Sequence, residues 1–301
     1  MLRTSVRIGA AVAVLLLGSC ATRPEHAGQS EASVGHAGPT ASAALDTCGP
    51  YAPFDAAKFA KATVVDNEWF PLVPGTQMIY DGRSVQDGTP VAHHEEFTVT
   101  GLTKVVNGVR TVVVIDRDLH DGKLDEQELS FFAQDDDGNV WNMGEYPEDY
   151  EDGRFTGAPD AWINAAAGAQ AGVQMTAHPQ PATPAYRQGY VPAIKFLDCA
   201  QPLQVGQKVC DATTCYPDTL LVDEWSPLDP GSGHQHKFYA ARVGTVKVSA
   251  VDDPEAETLR LTVKKTLDPA QLHEVDTVAR LMDTRAYRNA PAAYAATEPA
   301  S

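Results

Sequence analysis

The sequence repeats one local pattern: short runs of β-branched and apolar residues separated by two-residue turn signals. The signals are Asp-Gly or Asn-Gly pairs, whose residues tolerate the positive φ that tight hairpins require. Such short connections join antiparallel neighbours, because a parallel crossover needs a dozen or more residues. The pattern therefore predicts a mainly β fold built as a large antiparallel meander. The pairs are Asp87-Gly88, Asn107-Gly108, Asp121-Gly122, Asp137-Gly138 and Asp152-Gly153.

The predicted strands occupy most of the chain between Asp66 and Lys265. Each is a run rich in apolar and β-branched residues, bounded by turn residues. Antiparallel sheets of many strands curl, so we expect a curled sheet, a sandwich or a half-barrel. The runs are Thr76–Tyr80, Glu95–Thr103, Val109–Ile115, Glu128–Gln134, Val140–Met143, Leu203–Val209, Leu220–Trp225, Lys237–Tyr239, Gly244–Val251 and Thr258–Lys265.

Helical signals lie at the edges of this region. Residues 54–62 predict a short N-terminal helix. Asp268 is a candidate N-cap with Pro269 in the first turn, and the two begin a predicted C-terminal amphipathic helix. Its predicted apolar stripe has a spacing of three residues and consists of Leu272, Val275, Val278 and Leu281.

Two further segments lack strand or helix periodicity. Residues 157–184 are rich in Pro and Gly and predict one long surface loop, and loops of this length are often functional. Residues 288–301 are rich in Ala and Pro and predict a disordered tail. Residues 46–287 are accordingly interpreted as a single β-rich domain that includes the C-terminal helix.

The N-terminus has the form of an export signal. Arg3 and Arg7 precede an apolar stretch that is too short to span a bilayer stably, so residues 1–19 predict a signal peptide. The following Leu17-Gly18-Ser19-Cys20 resembles the lipobox of bacterial lipoproteins, in which the cysteine is lipidated and becomes the first residue of the mature chain. The alternative is an ordinary secreted protein in which Cys20 stands there by chance.

Residues 20–45 predict a lipidated Cys20 followed by a flexible tether, since Ala, Gly, Ser, Thr and Pro dominate and cannot bury enough surface to fold. The expected location is the bacterial cell envelope, with the domain outside the cytoplasm and the lipid anchor in the membrane. In a Gram-negative cell, Ala21 in place of Asp favours the outer membrane, by resemblance to known lipoprotein sorting.

The charge balance limits the partners of the chain. The formal net charge is −17, and removal of residues 1–19 with their two arginines takes it to −19. A charge of this sign repels phosphate backbones, which argues against nucleic acid as a partner. Small molecules and envelope proteins remain as candidate ligands.

Four cysteines remain after Cys20, namely Cys48, Cys199, Cys210 and Cys215. An even count in an exported chain predicts two disulfides, although four cysteines allow three pairings. Cys210 and Cys215 flank a hairpin loop between two predicted strands, so a local bridge is the easiest, and it leaves Cys48 with Cys199. A zinc site is the rival interpretation, but the chain has no Cys-x-x-Cys pair.

Three stretches together resemble a group of mostly uncharacterised bacterial secreted proteins and lipoproteins. They are Asp66-Asn67-Glu68-Trp69-Phe70-Pro71-Leu72-Val73-Pro74-Gly75-Thr76, Ala133-Gln134-Asp135-Asp136-Asp137-Gly138-Asn139-Val140-Trp141-Asn142-Met143-Gly144-Glu145, and His236-Lys237-Phe238-Tyr239 leading into Val243-Gly244-Thr245-Val246-Lys247. The chain departs from the pattern at Ala241-Arg242, where a Pro-Gly pair is usual, and the loop from Cys210 to Cys215 resembles an addition. The resemblance implies a β domain and no assigned activity.

Histidines occur in two candidate clusters. His93-His94-Glu95-Glu96 lies in a predicted strand, where neighbouring side chains point to opposite faces, and we interpret it as a surface charge cluster rather than a metal motif. His234 and His236 share a face at a period of two and are candidate metal ligands if a third partner lies nearby. Exposed strand histidines without a metal are the alternative.

Clustered oxygen ligands suggest calcium at two places. Asp135, Asp137 and Asn139 surround a Gly turn, and Asp116, Asp118 and Asp121-Gly122 form a second cluster. Neither has the Glu at position twelve of an EF-hand loop, because that position is Tyr146 in one frame and Gln127 in the other. We therefore favour plain hairpin turns and expect no cofactor, with calcium as the one candidate.

Two functional hypotheses follow. The chain has no Gly-x-Ser-x-Gly elbow, no P-loop and no dinucleotide-binding Gly-x-Gly-x-x-Gly. The favoured hypothesis is a lipid-anchored, non-catalytic β scaffold that binds a small or apolar ligand, or an envelope partner, in the concave sheet face and the loop 157–184. The alternative is an envelope hydrolase that uses a metal or paired carboxylates, with no catalytic residue assignable.

Overall fold

A computed structural model describes residues 45, 47–210 and 214–301. Cys20, the predicted signal peptide and nearly all of the predicted tether lie outside the described residues. The strands are β1 (Thr76–Gln86), β2 (Thr89–Val106), β3 (Val109–His120), β4 (Lys123–Gln134), β5 (Val140–Glu151), β6 (Arg154–Gly157), β7 (Trp162–Ile163), β8 (Gln170–Met175), β9 (Tyr186–Val191), β10 (Phe196–Cys210), β11 (Cys215–Trp225), β12 (His234–Ala240), β13 (Gly244–Val251) and β14 (Thr258–Thr266). The α-helices are α1 (Pro269–Asn289) and α2 (Pro291–Tyr294), and short 3-10 turns occupy Ala56–Lys58, Ala166–Gly168, Pro192–Ile194 and Pro230–Ser232.

The strands form one antiparallel sheet that closes on itself. Its order is β4-β3-β2-β1-β14-β13-β12-β11-β10-β9-β8-β5, and β5 also pairs with β4, which completes a barrel of twelve strands. The short strands β6 and β7 add to β5 alongside the ring. The prediction of a mainly antiparallel β fold is confirmed, and the curled sheet closes fully.

The predicted turn pairs account for the local connections. Asp87, Asn107, Asp121 and Asp152 all have φ near +50°, and the glycine after each also has positive φ. This is the conformation that matches the right-handed twist of paired strands. At the fifth pair, only Gly138 has positive φ, because Asp137 belongs to a longer loop between β4 and β5.

The prediction of one long surface loop at residues 157–184 is wrong for the central part of this segment. Two strands, β7 and β8, lie within it, and Trp162 and Met175 are fully buried. β8 pairs with β5 and β9 and is needed to close the barrel. Its sequence, Gln-Ala-Gly-Val-Gln-Met, is short and poor in β-branched residues, so its strand character comes from long-range pairing rather than from local propensity.

Helix α1 begins where the sequence predicts. The Asp268 side chain accepts hydrogen bonds from the backbone N–H groups of Ala270 and Gln271, and the Gln271 side chain accepts one from the Asp268 N–H, so the helix starts in a capping box. Residues 54–62 differ from the prediction, since they contain only the 3-10 turn Ala56–Lys58.

The buried face of α1 is not the predicted stripe. Ala279, Met282, Asp283 and Ala286 are buried, whereas Leu281 is 56% exposed. Residues three apart on an α-helix drift by about 60° per step, so a stripe with that spacing winds off the contact face. The helix instead buries Ala279, Met282, Asp283 and Ala286, at spacings of three and four, against the outside of the barrel.

The predicted disordered tail packs on the barrel. Tyr294 is fully buried, and the backbones of Thr103 and Ser301 exchange two hydrogen bonds of 2.9 Å. Tyr294 packs edge-on against Phe131 and Tyr146, which gives this segment an apolar anchor that its Ala/Pro-rich composition conceals.

Both predicted cysteine pairs lie at disulfide distance. The Cα atoms of Cys48 and Cys199 are 5.2 Å apart, and those of Cys210 and Cys215 are 4.1 Å apart. Cys48 and Cys199 are fully buried, beside Leu197. In the part of the chain that the structure describes, no helix combines the length and apolar character needed to cross a bilayer.

Candidate functional site

One end of the barrel is closed by the segment that precedes β1. Phe70 packs edge-on against Phe97 and Phe132 inside the barrel, and Leu72 is tied back by a β-bridge to Val65. The Asn67 side chain accepts hydrogen bonds from the N–H groups of Trp69 and Phe70, which fixes the turn. This segment, residues 65–74, forms an apolar plug.

A cavity lies next to the plug inside the barrel. The cavity itself measures about 30 Å³, room for about two or three water molecules, and the empty space reaches about 520 Å³ only when the solvent at its open mouth is counted. The apolar part of its wall is formed by Phe70, Leu72, Met78, Phe97 and Val248, and the polar part by Tyr80, Glu95, Gln174, Lys237 and Tyr239. The cavity therefore joins an apolar lining to a few polar groups, which is the usual composition of small-molecule sites.

The polar wall is built around the ion pair of Lys237 and Glu224. The Lys237 Nζ is 2.6 Å from one Glu224 carboxylate oxygen, and the hydroxyl of Tyr239 donates to the other at 3.0 Å. Gln188 donates to that second oxygen at 3.2 Å. Burial lowers the pKa of Lys237, but the charges of Glu224, Glu257 and Glu95 outweigh it and raise the pKa above its usual value.

Two buried acceptors on the cavity wall have no hydrogen-bond partner among the described residues. They are Oε2 of Glu95 and Oε1 of Gln174. Burial, and then the charge of Asp116, raise the pKa of Glu95 well above its usual value. An unpaired buried acceptor costs about 1–3 kcal/mol, so both groups would be stabilised by a molecule that donates hydrogen bonds to them.

Beyond Glu95, toward the other end of the barrel, lies a group that we call the rim cluster: His93, Asp118, His120, Asp125 and Glu257. The β2–β3 register pairs His93 with His120 and Glu95 with Asp118, so these four side chains share the inner face. The rings of His93 and His120 stack with centroids 4.5 Å apart. The cluster stands where β3 ends and β14 begins.

His93 is held between two carboxylates. Its Nε2 is 2.8 Å from Oδ1 of Asp118, and its Nδ1 is 3.1 Å from Oε1 of Glu257. Burial lowers the pKa of His93, but the hydrogen bonds and charges of Asp118 and Glu257 raise it to about 11. Other carboxyl groups lie close to the cluster. Burial is the main cause that raises the pKa of Asp116 to about 6. Burial and the charges of Asp253 and Glu257 raise the pKa of Glu255 to about 7.

Gly82 lets the cluster form. It pairs with His93 on one side and with Leu259 on the other. A Cβ at this position would overlap the carbonyl group of Thr258. The absent side chain allows β14 to approach β1 closely enough for Glu257 to reach His93.

The Asp135 cluster, interpreted from the sequence as a hairpin turn with calcium as a candidate ligand, contains a hydrogen-bonded turn. One or other Asp135 carboxylate oxygen accepts from the N–H groups of Asp137 and Asn139, the Asn139 amide and the Trp141 indole, at 2.8–3.0 Å. Asp137 points outward, 3.6 Å from Lys58, and Asn139 also accepts from the N–H of Ala177. The structure brings Asp135 and Asn139 together, and Asp137 stands apart from them.

His234 and His236 share the outer face of β12 as predicted. Asp223 on β11 lies between them, with its carboxylate 2.9 Å from Nδ1 of His234 and 3.6 Å from Nε2 of His236. His234 also stacks on Trp225. Asp223 is thus a carboxylate near both histidines, and the metal interpretation of this pair stays a prediction.

The surface interpretation of His93-His94-Glu95-Glu96 is wrong for half of its members. His94 and Glu96 face outward, where Glu96 pairs with Arg117 at 2.6 Å, but His93 and Glu95 are buried. The signal was present in the strand alternation, which places His93, Glu95 and Phe97 on one face. Phe97 marks that face as the inner one.

Comparisons with known proteins add little. No family model matches the chain, and no curated protein matches it. A solved structure from Bacteroides fragilis NCTC 9343, provisionally described as an exported protein with a YmcC-like fold, is 13% identical with a TM-score of 0.34, over 66% of this chain and 100% of that one. A second solved structure, from Parabacteroides distasonis ATCC 8503, is provisionally described as a lipoprotein. It is 12% identical to this chain with a TM-score of 0.30, and the match covers 66% of this chain and 100% of that one. These similarities are too weak to carry an argument about function.

Proposed function

We propose that this protein is a lipid-anchored protein of the bacterial cell envelope whose barrel binds a small amphipathic molecule. The observation that carries the proposal is the cavity, where two buried unpaired acceptors, Glu95 Oε2 and Gln174 Oε1, face an apolar lining. The ligand is a molecule with an apolar body and a hydrogen-bond-donating head, such as a hydroxyl, amide or amine.

The polar wall sets the orientation of such a ligand. Glu224 already accepts hydrogen bonds from Tyr239 and Gln188 and pairs with Lys237, so it holds the wall rigid. The head group is left with Glu95 and Gln174, while the apolar body contacts Phe70, Met78 and Phe97. Burial of that body supplies most of the affinity, and the two acceptors supply specificity.

The N-terminal sequence supports the location. Lipidation at Cys20 anchors a domain without a spanning helix, since each buried methylene contributes about 0.8 kcal/mol. The strongly acidic domain is repelled by anionic headgroups, which keeps it in solvent at the end of its tether.

The test is native mass spectrometry of the full chain purified from its own host in mild detergent, before and after addition of dodecanol as a probe. We expect one co-purifying or added molecule per chain. Gln174→Leu, which removes one of the two unpaired acceptors and puts an apolar side chain in its place, should retain less of the bound molecule. Glu96→Gln is the matched control, because Glu96 follows Glu95 on the same strand and faces outward.

Equal retention of the bound molecule by Gln174→Leu and Glu96→Gln would contradict the proposal, as would a full chain that binds neither a co-purifying molecule nor dodecanol. If Gln174→Leu fails to fold, Glu95→Gln replaces it. This second variant keeps the size of the side chain and removes its ionisable group.

A further inference from the structure

The rim cluster combines two imidazoles with several carboxylates at one point of the barrel. His93, Asp118 and His120 each offer one ligand atom, and these atoms all lie within 4.8 Å of one another. Asp125 adds a carboxylate 3.5 Å from Nδ1 of His120. We propose that His93, Asp118, His120 and Asp125 bind one divalent first-row transition-metal ion of the Zn²⁺ type.

The distances suit a four-coordinate ion. Zinc bonds to nitrogen and carboxylate oxygen of about 2.0–2.1 Å, arranged as a tetrahedron, place neighbouring ligand atoms about 3.3 Å apart. The Asp118 Oδ1 is 2.8 Å from Nε2 of His93 and 3.7 Å from Nδ1 of His120. The separations of Asp118 from the two histidines bracket the required one. Because the two rings stack at 4.5 Å with 16° between their planes, one ring must turn for both nitrogens to face the same ion.

The carboxylate behind His93 supports the same conclusion. Glu257 contacts Nδ1 of His93 at 3.1 Å, on the side of the ring away from Asp118. Glu257 is itself held by a hydrogen bond from the amide of Gln235. A carboxylate beside one ring nitrogen of a histidine favours the proton on that nitrogen and so presents the other nitrogen to a metal.

The charge and access of the cluster fit a cation. Asp118, Asp125 and Glu257 bring three carboxylates to two imidazoles, and a divalent ion offsets their repulsion. The side chains of Asp118 and Asp125 are 24% and 22% exposed, so an ion can reach them from solvent. Two nitrogen ligands select against calcium, which takes oxygen ligands.

The experiment uses the full chain in detergent after treatment with a chelator. Co²⁺ is titrated while the visible absorption is followed, and Zn²⁺ is then added as a competitor. We expect one ion per chain, absorption bands of four-coordinate cobalt, and displacement by Zn²⁺ but not by Ca²⁺. His120→Gln should abolish binding, and Glu257→Gln should weaken it about 10–100-fold.

A matched control exists on the outer face. His236 stands with His234 beside Asp223, so His236→Gln removes a histidine from a similar set and should leave the affinity unchanged. Thermal unfolding without metal verifies that each variant folds, and Asp125→Asn replaces His120→Gln if the latter does not. The proposal would be overturned if cobalt binding survived His120→Gln or Asp125→Asn and was lost in His236→Gln. It would also be overturned if the parent chain bound no cobalt, or if it preferred Ca²⁺.

Discussion

Lys104 and Asp283 form an ion pair that is buried on both sides. The Nζ of Lys104 is 2.8 Å from Oδ1 of Asp283, and the two side chains are 0% and 2% exposed. The same ammonium donates to the carbonyl of Glu298 at 2.7 Å and lies over the ring of Tyr294. One lysine on β2 thus holds both α1 and the end of the chain against the barrel.

We predict that Lys104→Met lowers the free energy of unfolding by about 3–5 kcal/mol, because it leaves the Asp283 carboxylate buried without its partner. The double variant Lys104→Met/Asp283→Leu should regain most of that loss. Urea unfolding of the purified chain measures both. Lys123→Met, which removes an exposed lysine 3.3 Å from Asp152, is the control and should change stability by less than about 0.5 kcal/mol. A double variant no more stable than Lys104→Met would contradict this account.

Gly82→Ala should destabilise the protein by about 1–3 kcal/mol, since a Cβ at this position overlaps the backbone of β14. The same change should weaken cobalt binding at the rim cluster, because it pushes Glu257 away from His93. Gly157→Ala is the comparison, since its added carbon would meet only a side-chain atom of Pro159 at 3.6 Å. Equal thermal unfolding midpoints for the two variants would show that the close approach of β14 to β1 does not matter.

The sequence predicted the parts of the fold that are local. Asn107-Gly108 and Asp121-Gly122 specify their hairpins by backbone preference alone, and Asp268 specifies the start of α1 by its own hydrogen bonds. Closure of the barrel depends on β8, which pairs with β5 about thirty residues away and carries little strand propensity of its own. Long-range pairing of that kind leaves no local signal in the chain.

The candidate site was concealed for a different reason. Sequence reasoning assigns charged residues to the outside of a sheet, because an unpaired charge is costly to bury. His93 and Glu257 are buried, Asp118 is partly exposed beside them, and the three groups compensate one another; Glu257 is more than 130 residues from its partners. Only the register of the closed barrel brings them into one cluster, whereas the locally visible pair His234 and His236 lies on the outer face.

The disulfide pairs differ in the length of chain that they close. Cys48 and Cys199 are 151 residues apart, and Cys210 and Cys215 are 5 apart. On the chain-entropy relation, the first bridge stabilises by about 5 kcal/mol and the second by about 2 kcal/mol. We therefore expect Cys48→Ala/Cys199→Ala to lower stability more than Cys210→Ala/Cys215→Ala. Peptide mapping without reductant that finds free thiols, or Cys48 joined to Cys210, would refute the pairing.

Cys20→Ser should release the protein from the membrane fraction, because Leu17-Gly18-Ser19 would then precede no thiol that can be acylated. Detergent phase partitioning and intact-mass measurement follow the change. Ser19→Ala, which keeps the thiol and a small residue before it, is the matched control and should stay anchored. A Cys20→Ser protein that remains in the membrane fraction with an unchanged lipid mass would eliminate the anchor at this position.

The last prediction separates a turn from a calcium site at Asp135. Its carboxylate accepts four hydrogen bonds from its own loop and from Trp141, so Asp135→Ala should lower stability by about 3 kcal/mol, through loss of charged hydrogen bonds and exposure of unpaired donors. Asp137→Ala should change it by less than about 0.5 kcal/mol, because that side chain is 70% exposed. A calcium ion bound only to the folded chain would raise the melting temperature by mass action. We expect millimolar calcium to leave the melting temperature unchanged. A rise of several degrees in the melting temperature of the parent chain that disappears in Asp137→Ala would instead establish an ion site at this turn.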